Sequence, residues 1–133
     1  MGDHGTVVTP IGVINCGGSI SDSDWMISKD CFRLTKKNTW VPFPSMNKER
    51  HGMKMVVAGD TLIAFSYYGL GDNFEKINWR NGDNWEWVNM DKALFNFCTT
   101  KWDDKNIIII GGTKSTSRVS MANIMSYFLI QSN

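Results

Sequence analysis

Along most of this chain, apolar and polar residues alternate, or a brief apolar run ends in a cluster of Gly, Asp, Asn, Ser or Lys. The stretches are "TVVTPIGVINC", "DCFRL", "MKMVVAGDTLIAFSYY", "FEKINW", "WEWVNM", "FNFCTTKW", "NIIII" and "MSYFLI". A period of two with β-branched and aromatic enrichment predicts short strands. The unbroken isoleucines Ile107 to Ile110 predict a strand covered on both faces and ending at Gly111 and Gly112. No long segment keeps a 3.6-residue apolar period between a cap and a stop. The nearest, "STSRVSMANIMSYF", is rich in Ser and Asn and reads as a loop leading into a strand. "AGDT" and "WDDKN" each predict a tight turn between strands, and the Asn-Gly pair of "RNGDN" predicts a hairpin. The pattern predicts an all-β chain.

The strands recur. Glycine doublets stand after strands at Gly17-Gly18 and Gly111-Gly112, with a degenerate copy at Tyr68-Gly69. His-Gly opens a strand at His4 and again at His51. A tryptophan precedes a methionine in "TWVPFPSM" (Trp40, Met46) and in "NWEWVNM" (Trp85, Met90). Met1, Met46 and Met90 mark a spacing of about 45 residues, inside the range of propeller blades. The isoleucine run is then one inner strand of a repeated four-strand unit.

With these motifs in order, the chain resembles the kelch family of β-propellers, and the resemblance spans essentially its whole length. The first unit reads "VINCGG…DCFRL…TWVPFPSM…R", the second "AFSYYG…FEKINW…NWEWVNM", the third "IIIIGG…MSYFLI". Two departures stand out: Tyr-Gly replaces Gly-Gly in the second unit, and Leu94 or Phe95 stands where Arg50 stands in the first. The resemblance implies kelch-like propeller blades over about 1–46 and 47–90 and a partial third over about 91–133. Trp40, and Trp85 or Trp87, are expected to wedge between neighbouring blades. The third unit has no tryptophan-bearing outer strand. Propellers close with roughly 4–8 blades, so a neighbouring chain or further blades are expected to complete the ring, with the chain being a segment of a larger propeller or one copy in an assembly.

Composition narrows the partners. A hydrophobic content of 42% against 20% charged residues excludes a disordered chain. With a net charge of +1 and no basic run, nothing points to nucleic acid or an anionic membrane surface. No apolar run reaches the ~18 residues of a membrane span. Neither a charged n-region nor an apolar h-region follows Met1.

Three cysteines are present. Cys16 and Cys31 flank the loop of residues 17–30 on strands that pair in a blade, which suits a disulfide or two small buried side chains. "CGG…DCF" resembles secreted animal kelch-type proteins, and that likeness implies the disulfide and an oxidising compartment. Cys98, inside "FNFCTT", reads as a core thiol. His4 and His51 fall at equivalent repeat positions and read as structural. No His/Cys cluster has zinc-ligand spacing. The pairs Asp22, Asp24 and Asp103, Asp104 could face a cation through oxygen, but read better as solvated loops. No nucleophile elbow, phosphate loop or glycosidase carboxylate pair stands out.

The loop "SISDSDWMISKD" is the candidate contact surface. Asp22, Asp24, Trp25 and Met26 stand there outside the strand pattern, and an aromatic in a loop on a rigid scaffold suits protein recognition. The expected function is a non-enzymatic binding or structural module, extracellular, with no cofactor or metal, acting through loops or by assembly with like domains. Its partners are expected to be proteins. The rivals are an intracellular kelch adaptor, such as a ubiquitin-ligase substrate receptor, which free thiols would favour, and a propeller oxidase, which needs a copper-ligand set absent here.

Overall fold

In the computed structural model, residues 4–19, 26–50, 52–66, 73–89, 95–113 and 127–131 are described. Their regular structure is all β. The first antiparallel sheet holds β1 (Gly5–Thr9), β2 (Gly12–Cys16), β3 (Cys31–Leu34) and β4 (Trp40–Phe43) in chain order. The second repeats the meander with β5 (Met53–Ala58), β6 (Thr61–Ser66), β7 (Asn73–Asn78) and β8 (Glu86–Asn89). β9 (Phe95–Asp103), β10 (Asn106–Thr113) and β11 (Tyr127–Gln131) make a three-stranded sheet. The first strands meet at one end of the stack, where β5 packs against both β1 and β9. Four-stranded meanders stacked face to face through their first strands have the form of β-propeller blades.

Turn residues set the hairpins. Ala58 pairs with Thr61 across Gly59-Asp60, and Gly59 takes a φ of 58°, a region closed to most side chains. Asp103 pairs with Asn106, and the Asp103 carboxylate accepts the Lys105 N–H at 2.8 Å. The Asn-Gly turn works differently from expectation. Asn78 takes over the link between β7 and β8, its side-chain oxygen accepting the N–H groups of Arg80 and Asn81 at 2.9 and 3.2 Å. An Asx turn at the strand end thus competes with the tight Asn-Gly hairpin. The strand through the isoleucines also runs on past its expected end. Gly111 pairs with Phe97 and Thr113 with Phe95, because the longer β9 continues the ladder and a glycine still supplies its backbone groups. The isoleucine side chains and that of Cys98 lie outside the described part, as do residues 114–126.

The core lies between the first two sheets. Residues alternate faces along a strand, and Val7, Ile14, Cys16, Cys31 and Phe43 of the first sheet meet Met53, Met55, Val57, Leu62, Ala64, Ile77 and Trp85 of the second. β1 approaches β5 so closely that a Cβ on Gly5 would stand 2.6 Å from Met55. The second sheet's other face buries Val56, Ile63, Phe65 and Phe74.

The registers show which positions correspond. Val13 pairs with Leu34, one step beyond the Thr9–Gly12 closure, as Leu62 pairs with Ile77 one step beyond Ala58–Thr61. Leu34 pairs with Trp40, and one further step in the second sheet brings Trp85 opposite Ile77. Trp40 and Trp85 are therefore structural equivalents, as the repeat predicts. They have different environments. Trp85 is 4% exposed and wedged against the first sheet, its indole N–H donating to the Pro44 carbonyl at 2.8 Å. Trp40 is 52% exposed, so the expected burial of Trp40 is corrected. The wedge points toward the preceding sheet, and the first sheet has no described neighbour on that side. Trp87, the other candidate, is also exposed.

Cys16 and Cys31 pair directly across β2 and β3 and form a disulfide. The equivalent positions in the second sheet hold Phe65 and Phe74, with ring centroids 4.7 Å apart. One sheet closes this position covalently and the other by aromatic packing. The bridge spans 15 residues, so Cys16→Ala with Cys31→Ala is expected to lower unfolding free energy by about 3 kcal/mol in urea titration.

Candidate binding surface

The connection between β2 and β3 has a built stem. The disulfide closes its base. Above it, Gly17 N donates to Asp30 O at 3.0 Å and Ser28 N to Gly18 O at 2.9 Å, and Ser19 and Ile27 form an antiparallel bridge. The segment after β4 grips this stem from the side. Gly18 N donates to Arg50 O at 2.7 Å, Arg50 N to Ser28 O at 3.1 Å, and Met46 N to Lys29 O at 2.9 Å. Such proximity explains the glycine doublet. Gly17 has a φ of 69°, and a Cβ there would stand 2.5 Å from the Arg50 carbonyl. Met26, at the top of the stem, is exposed. Asp22, Asp24 and Trp25 lie outside the described residues, as does His51.

The gripping segment is itself fastened to the second sheet. Arg50 is 2% exposed and Glu75 fully buried, and their side chains form an ion pair at 3.0 Å. The Glu75 carboxylate also accepts the Asn47 N–H at 2.6 Å and Arg50 Nε at 3.1 Å. The Asn47 amide donates to Trp85 O at 2.9 Å. Burial pulls the Arg50 guanidinium below its ordinary pKa, while the charge and hydrogen bond of Glu75 oppose that shift. Arg50 further faces the Trp87 ring, 5.8 Å from its centroid. The backbone of Arg50 holds the loop stem while its side chain holds the second sheet, so the stem is fixed relative to both.

Sequence reasoning placed Arg50 in the repeat motif but missed Glu75, Asn47 and Pro44. A signal for Glu75 was present: it shares the period-two face of "FEKIN" with Ile77, an inward position for a carboxylate.

No family model matches this chain, and no curated protein does.

A second concavity lies where the β5–β6 and β9–β10 turns approach. It encloses about 320 Å³ and is lined by Asp60, Thr61, Lys76, Ile77, Asn78, Glu86 and Asp104. Two of its acids are engaged at the surface: Asp60 pairs with Arg80 at 3.3 Å and Asp104 with Lys101 at 2.7 Å. Asp103, capping its turn, and Asp104 are solvated loop residues in this arrangement. His4 is exposed. Among the described residues no group of three His, Cys, Asp or Glu side chains is gathered to hold a metal. The described walls of this cleft are mostly polar.

Proposed function

We propose that this protein is a non-enzymatic, extracellular binding module of kelch-like propeller blades, and that it recognises a protein partner through the 19–27 loop. The observation that supports this reading is the stem. A disulfide, a strand bridge and main-chain hydrogen bonds to the segment after β4 hold the base of this loop, and pre-organisation of this kind reduces the entropy lost when a loop binds. Met26 is an adaptable apolar side chain at its rim. Asp22, Asp24 and Trp25 complete the proposed contact. The Cys16–Cys31 bond favours an oxidising compartment over the reducing cytosol of an intracellular adaptor.

Two measurements test the reading. Alkylation of the unreduced, denatured protein from its native source is expected to modify Cys98 alone. Modification of all three cysteines would overturn the extracellular assignment. A photo-crosslinking residue at position 26 is expected to capture a discrete extracellular protein, with none captured from position 36 in the β3–β4 turn. Equal capture from both positions, or none from either, would overturn recognition through this loop.

A further inference from the structure

Two methionines of β5 lie against glycines of the first sheet and its loop stem. Met53 and Met55 share one face of the strand with Val57 and pack against the core between the sheets. A Cβ on Gly5 would stand 2.6 Å from the Met55 sulfur, and one on Gly17 would overlap the Met53 sulfur. Each thioether therefore fills a hollow that a glycine leaves open, the kind of irregular gap that methionine suits. Gly17 is also the first residue of the loop stem, its N–H donating to Asp30 O at 3.0 Å. The Met46 methyl lies at the same glycine, 3.4 Å from where its Cβ would be. Met46 is only 2% exposed, whereas Met53 and Met55 are half-buried. Solvent thus reaches two of the three thioethers that pack at this junction.

We propose that Met53 and Met55 are sites of oxidation to methionine sulfoxide by hydrogen peroxide, and that this modification loosens the loop stem and the junction of β1 with β5. The thioether sulfur attacks one peroxide oxygen. An S–O bond forms as the O–O bond breaks, and the proton on the transferred oxygen passes to the leaving hydroxide, giving water. The sulfur is oxidised by two electrons and the peroxide is reduced. The product is polar where the thioether was apolar, and sulfoxide reductases reverse it.

The glycines make the oxidised state costly. The core beside these sulfurs is built from Val7, Ile14, Cys16, Cys31, Leu62 and Ala64, whose side chains hold no hydrogen-bond donor for a sulfoxide oxygen. If the oxygen stays in the junction, it is buried without a partner. If the side chain turns to water, it leaves a hollow at Gly5 or Gly17 that no other side chain of the first sheet fills, and the lining loses its contacts. Both courses release β1 from β5. At Met53 they also release Gly17, and with it the stem whose next residue donates Gly18 N to Arg50 O. The inference does not depend on the loop having a partner.

A peroxide time course on the native protein, followed by peptide mass mapping, is the test. Met26, 56% exposed, should oxidise first, then Met53 and Met55, with Met46 at least ~10-fold slower than these two. Oxidation of Met53 and Met55 should lower the urea midpoint by roughly 1 M, and oxidation of Met26 alone should leave it unchanged. Met53→Leu with Met55→Leu, which keeps every other methionine, should hold its midpoint through the same treatment. A readout in the parent needs no variant: the Gly17 and Gly18 amides should exchange at least ~10-fold faster in molecules oxidised at Met53 than in molecules oxidised at Met26 only. Met53 and Met55 as slow as Met46, an unchanged midpoint or unchanged exchange once both are oxidised, or an equal fall in the leucine variant would each overturn the proposal. A silent cross-linker at position 26 would remove the loop reading alone and leave this inference standing.

Discussion

Trp85→Ala is expected to lower unfolding free energy by about 3–5 kcal/mol, whereas Trp40→Ala costs the folded chain less than ~1 kcal/mol. The two residues occupy equivalent places in successive sheets, so intrinsic strand preference is matched between them. Burial differs: Trp85 is 4% exposed and Trp40 52%. Removing Trp85 deletes a large side chain from the junction between the sheets and leaves the Pro44 carbonyl without its indole donor. Both cavity formation and a lost hydrogen bond then act together. Removing Trp40 deletes a side chain already half in water. Urea titration of dilute protein reads both numbers. Equal costs would show that the equivalence drawn from the registers, or the exposure of the outer face, is wrong.

The second large effect belongs to Arg50 and Glu75. Arg50→Met strands a carboxylate at a fully buried position, and Glu75→Leu strands a guanidinium that is 2% exposed. Each is expected to cost about 3–5 kcal/mol, because breaking a buried pair leaves an uncompensated charge. The double variant should recover most of that loss, since it buries no charge and fills similar volume with apolar atoms. Asn47 N then loses its carboxylate acceptor, so recovery is expected to fall short by roughly 1 kcal/mol. A double-mutant cycle measures the coupling. Additive single and double effects would show that the ion pair does not fasten the segment after β4 to the second sheet. Because Arg50 also holds the loop stem through its backbone, both single variants should raise hydrogen exchange at Gly18, while the double variant restores protection there.

Much of the architecture was legible because it depends on neighbours in sequence. Alternation marked the strands. The Gly59-Asp60 and Asp104-Lys105 turns follow from residues that accept those backbone angles or cap them, and the repeat put Trp40 and Trp85 in register. The strands placed Cys16 and Cys31 side by side but left a disulfide and two small buried side chains both open. Local rules failed where two local options competed: Asn78 displaced the Asn-Gly turn, and β9 drew the ladder through Gly111.

The sequence by itself determined the class of fold, the order of strands and the positions that correspond between units, since side-chain periodicity and turn chemistry act over a few residues. Only the tertiary structure decided which of two equivalent tryptophans is buried, that Glu75 faces Arg50 and not water, and that the loop stem is gripped by the segment after β4. These depend on what lies across a sheet face. Arg50 and Glu75 are 25 residues apart, and their meeting depends on how two sheets stack. A pattern with a period of two states which side of a strand is apolar; the stacking of sheets states whether that side has a neighbour.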